Sequence, residues 1–228
     1  MIFSSISFFI FLLSIFFLVP HINTAVYHLV LLLTRSKKIA LGILLFILLP
    51  GTIIHELSHF LVATLLFVRT GELTVIPKVE EESIKAGSLK HANTDPIKRT
   101  LIGIAPMIIG LIIIYFLGNI IFNQFSNFPL LIANSYLLIA VSLSMFSSKK
   151  DLEVAIFVVP IFALIMLALY LNGLTVTFSQ ELYQKISHVL SQLNIYLLLA
   201  LGLDIVVFLS LKSLIIIFQR LLKVKIVS

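Results

Sequence analysis

His55, Glu56 and His59 stand in the order His-Glu-x-x-His within His55-Glu56-Leu57-Ser58-His59. On a helix, residues i and i+4 lie on one face, one above the other. Two imidazole nitrogens can then meet at one metal ion, as zinc requires. Glu56 is offset around the helix, close enough to act on a water at the metal without being a ligand. The setting strengthens the chemical reading. The trio lies in an apolar run from about Ile39 to Val68. A charged side chain at the centre of a bilayer costs about 2.5–3.5 kcal/mol on insertion scales, so ionisable residues there signal function.

A catalytic zinc needs three protein ligands and an open position for water. The third ligand must come from outside the motif. The candidates are His91, Asp95, Asp151, Glu153 and Asp204. Asp151 sits between two apolar runs, and Asp204 lies within the last one, where Lys212 could instead be its partner. Spacing alone leaves the choice open. The chain has no cysteine, which excludes disulfides, a thiolate zinc site and a thiol nucleophile. His21 and His28 fit a structural or interfacial role better than ligation.

The elements that must hold these residues are hydrophobic throughout. Of the 228 residues, 60% are apolar and 11% charged, and the mean hydropathy is +1.17. A soluble domain carries about 25% charged residues, so this composition describes an integral membrane protein. The net charge is +6. Its basic residues sit in short loops and at the C-terminus, as membrane orientation requires, and no nucleic-acid-binding motif is present.

The expected fold is a single all-α polytopic domain over residues 1–228. It has about six transmembrane helices, with a short β-hairpin between the second and third. The spans read approximately as 2–19, 39–68, 99–118, 130–146, 154–171 and 194–218. Pro20 is expected to end or kink the first, with 24–33 either continuing it or lying at the interface. Pro50-Gly51 is expected to break the second, with Thr52 capping the new segment. Gly103, Pro106 and Gly110 mark close helix approach in the third. Residues 174–193 are weakly amphipathic and expected at an interface. Residues 69–98 form a β-prone loop that the positive charges place on the cytoplasmic side, with 147–153 and the C-terminus. Arg35, Lys37 and Lys38 fit that orientation least well.

From about Pro50 to Leu152 the chain resembles the site-2 proteases, the M50 family of intramembrane zinc metalloproteases. The resemblance rests on PGTIIHELSHFLVATLLFV, the β-prone loop after it and the TLIGIAPMIIG helix. It implies zinc held by His55, His59 and an acid from a later helix, which by position is Asp151 in SLSMFSSKKDLE, with Glu56 as general base. Serines stand here where the family has Asn-Pro, and Leu152 where it has Gly. The resemblance also implies that residues 72–92 present an edge to an unwound substrate, for which strand addition is a known mode. The expected function is an intramembrane endopeptidase acting on membrane-protein substrates in a prokaryotic cytoplasmic membrane. The alternatives are a metal-binding membrane transporter and an inactive metalloprotease-like scaffold.

Overall fold

The computed structural model describes residues 2–68, 70–74, 78–80, 83–85, 88–91, 95–123, 127–146, 164, 168, 171 and 179–222. Five helices occur among them: α1 (Ile2–Thr34), α2 (Lys37–Leu65), α3 (Pro96–Asn123), α4 (Phe128–Ser144) and α5 (Gln180–Leu222). Four of these, α1, α2, α3 and α5, are long and apolar enough to cross a membrane. The 17 residues of α4 reach about 26 Å, short of the ~30 Å hydrocarbon core. The chain is thus a membrane protein by the length and composition of its helices.

The expectation of about six spans and one hairpin is corrected on both counts. The expected span 154–171 lies outside the described residues, save for 164, 168 and 171. The expected interfacial stretch 174–193 and the last span merge in α5, a single helix of 43 residues and about 64 Å. No glycine or proline interrupts it before Gly202. The amide of Leu182 donates to the Ser179 hydroxyl at its start. Between α2 and α3, two separate ladders replace the hairpin. The strands β1 (Thr70–Thr74) and β4 (Ser88–His91) pair antiparallel, as do β2 (Lys78–Glu80) and β3 (Ser83–Lys85).

α1 continues through Pro20 to Thr34, so residues 24–33 extend the first helix, and the expected break at Pro50-Gly51 does not occur. Both prolines lie inside continuous helices. Proline costs a helix about 3 kcal/mol. A break would leave up to four N–H and four C=O groups without partners, and each costs several kcal/mol in hydrocarbon. Continuity is the cheaper solution. Thr52 therefore caps nothing, and its hydroxyl donates to the Leu48 carbonyl within the helix, 3.1 Å away. The actual cap of α2 is Ser36, which accepts from the Ile39 amide.

At its other end α2 closes in a Schellman motif. The Val68 amide donates to Ala63 O and the Phe67 amide to Thr64 O. Phe67 has φ 54°, in the left-handed region where glycine is usual. The Lys98 ammonium donates to the Leu66 carbonyl, so the start of α3 is tied to the end of α2.

All five helices share one core, with Ile15, Leu44, Ile114, Leu138 and Leu197 buried in it. Close approach is set by small residues. A Cβ on Gly51 would collide with the Ala140 carbonyl oxygen and the Ser144 hydroxyl of α4. Tyr136 reaches Ile47 O one turn away, so α2 and α4 run parallel through this contact. Gly118 likewise admits the Tyr196 ring, and Gly110 the Met145 side chain.

Gly51→Val should force α4 away from α2 and destabilise the protein by roughly 1–3 kcal/mol, the usual range for overpacking. The midpoint of denaturant-induced unfolding in mixed micelles reports this, and an unchanged midpoint would contradict the close α2–α4 contact.

Candidate metal centre

The motif helix is polar on its inside and apolar on its outside. His55, Glu56, Ser58 and His59 are all buried, whereas Leu57 is 45% exposed and Leu61 51%. That is the inverse of a water-soluble surface helix, and it suits a helix whose outer face meets lipid. Ser58 is satisfied within α2 by donating to Ile54 O.

The two imidazoles meet edge to face, with ring centroids 4.8 Å apart. Their Nε2 atoms are 3.2 Å apart. Two nitrogens bound to one tetrahedral zinc at 2.0–2.1 Å are separated by about 3.3 Å. The spacing therefore matches that of a chelating pair.

The orientation of His59 has a specific cause. Its Nδ1–H donates to the Ile102 carbonyl of α3 at 2.8 Å. This assigns the proton to Nδ1 and turns the Nε2 lone pair toward His55, the arrangement typical of metal-bound histidine. In a regular helix the Ile102 carbonyl would accept from the amide of residue 106. That residue is Pro106, inside α3 and buried, and proline has no amide hydrogen. Pro106 thus frees the acceptor that His59 uses. Four residues separate Ile102 from Pro106, so this signal was present in the sequence.

The candidate third ligands fare differently. Asp151 and Glu153 lie outside the described residues. His91 ends β4. Asp95 precedes α3 and accepts from the Ile97 amide, so it serves as a helix cap beside Pro96. Asp204 is fully buried but faces Ser142, whose hydroxyl lies 2.9 and 3.1 Å from its two carboxyl oxygens. Lys212, expected as a possible partner of Asp204, is instead placed over the Phe208 ring. Among the described residues no three His, Asp or Glu side chains form one metal-binding group. His55 and His59 are brought together, with Glu56 buried beside them, and Asp204 is not part of the site.

No family model, curated protein or solved structure matches this chain.

Pro106→Ala restores an amide that competes with His59 for the Ile102 carbonyl. Loss of such an outer-shell partner typically weakens metal binding about 10–100-fold. Chelator competition on the purified chain should show a loss of that order with the helical circular dichroism unchanged. Wild-type affinity in the variant would mean that the Ile102 carbonyl does not orient His59.

Proposed function

We propose that this chain is an intramembrane zinc metalloendopeptidase that hydrolyses peptide bonds in or near transmembrane segments of membrane proteins, in a prokaryotic cytoplasmic membrane. The observation that carries the reading is the buried pair of Nε2 atoms 3.2 Å apart, with His59 held in the ligating tautomer by Ile102. His55 and His59 would hold the zinc, with Asp151 as the third ligand. A zinc ion there would supply Lewis acidity and a nucleophile usable at neutral pH.

Glu56 then has the role of general base. Its carboxylate takes the proton from the attacking water as oxygen adds to the scissile carbonyl carbon. It passes that proton to the amide nitrogen as the C–N bond breaks, so a free carboxyl and a free amine leave the site. Burial of Glu56 beside the imidazoles keeps bulk water away from this transfer. The apolar outer face of α2 favours a substrate that arrives laterally from the bilayer.

Glu56→Gln should retain zinc and lose about 10²–10⁴-fold in cleavage of a transmembrane-helix reporter in liposomes. A metal transporter using the same ligands predicts the opposite: tolerance of that substitution, with metal flux across the membrane. Zinc content assigns the ligands separately. His55→Ala, His59→Ala and Asp151→Ala should each lose the ion, and Asp204→Ala should keep it. Retention of zinc in Asp151→Ala would remove Asp151 from the site.

A further inference from the structure

The helices α1 and α5 lie side by side and run in the same direction. Asn194 donates to the Ser4 carbonyl near the start of α1, and further along the His21 ring meets that of Phe208. Beyond this second contact the helices line a half-open groove of about 460 Å³, within the range typical of small-molecule sites. Its apolar wall includes Phe208, Ile215 and Ile216, and its polar wall includes His21, His28 and Lys212.

Charge gives the groove a sign. The sequence of α1 contains no acidic residue, and α5 has none after Asp204. Asp204 itself is engaged by Ser142. The Lys212 ammonium lies 5.6 Å from the centre of the Phe208 ring and has no carboxylate partner among the described residues. An unpaired lysine within an apolar span is costly, a cost that a bound anion offsets. His28 makes no hydrogen bond among the described residues, and either neutral tautomer leaves it one N–H to donate. The Nδ1–H of His21 is already committed to Phe17 O, so Lys212 and His28 carry the recognition. The parallel helices also bring Arg35 at the end of α1 and Arg220 near the end of α5 toward the same end of the pair. That end lies opposite the 69–98 loop, because α1 and α5 run antiparallel to α2, so the expectation that the loop and the C-terminal basic residues share one side is corrected.

We propose that this groove is a binding site for an anionic phospholipid. Its headgroup phosphate is held by Lys212 and His28, with Ile215 and Ile216 flanking the headgroup on the side of Arg220, and an acyl chain runs from Lys212 along Phe208 toward the bilayer centre. The proposal is independent of the metal centre. Its occupant is a lipid because the groove opens between two membrane-length helices and couples a cation to an apolar wall.

Native mass spectrometry of the full chain in detergent, titrated with phosphatidylglycerol or phosphatidylcholine, tests it. Wild type should bind phosphatidylglycerol roughly fivefold or more tightly than phosphatidylcholine, the factor expected from one basic residue near an anionic headgroup. Lys212→Gln should abolish the preference. Ile216→Trp, at a half-exposed position on the apolar wall, should weaken phosphatidylglycerol binding with all charges intact. It also provides a second test should Lys212→Gln misfold. Equal binding of the two lipids by wild type, or an undiminished preference in Lys212→Gln, would overturn the proposal. So would unchanged phosphatidylglycerol binding in Ile216→Trp, or displacement of the lipid by millimolar inorganic phosphate, which would mark a site for free anions.

Discussion

The geometry of the metal-capable face depends on one hydrogen bond between helices, from His59 Nδ1–H to the carbonyl of Ile102. A backbone carbonyl inside a membrane helix is ordinarily occupied by the amide four residues on. It is available here because that residue is Pro106. The bond therefore relieves two difficulties at once. It satisfies a carbonyl that would otherwise be unpaired in an apolar surround, where such groups are costly. It also fixes which nitrogen of His59 is protonated. The other nitrogen is left facing His55 at the spacing of a chelate.

That bond works only if α2 and α3 keep their relative position. The end of α2 is held by its Schellman turn and by Lys98, which reaches back from α3 to Leu66 O. One turn before His55, Gly51 lets α4 approach until backbone meets backbone. The last turn of α4 is in turn joined to α5 through Ser142 and Asp204. Lipid gives helices little hydrophobic reason to associate, so close packing at small residues and polar bonds between helices supply the attraction. The polar residues of this protein outside the His55–Glu56–His59 cluster are used largely in that way. Asn194 on Ser4 O and Tyr115 on Gln192 are further examples.

Much of the candidate site could be read without a structure. His55 and His59 are four residues apart, and helical geometry alone places them on one face. Glu56 follows from the same argument. Other features depend on residues far apart in the chain. Pro50-Gly51 reads locally as a break, because neither residue favours a helix interior. The glycine is instead required by the backbone of α4, which belongs to a distant part of the chain. Asp204 reads as a possible ligand because it is an acid in an apolar span. Ser142, its actual neighbour, is 62 residues away in sequence and carries no signal of its own. The ladders β1/β4 and β2/β3 differ from a single hairpin through pairing choices that composition does not encode.

The sequence by itself determined the membrane character of the chain and the helical register of His55, Glu56 and His59. Each follows from interactions within a few residues or from summed hydropathy, which act before any helix meets another. Tertiary structure decided that Pro20 and Pro50 are carried inside continuous helices and that α5 runs unbroken from Gln180 to Leu222. It also decided that His59 takes the Ile102 carbonyl and that Asp204 takes Ser142. Those outcomes depend on which surfaces are adjacent, and adjacency is set by packing between helices far apart in the chain.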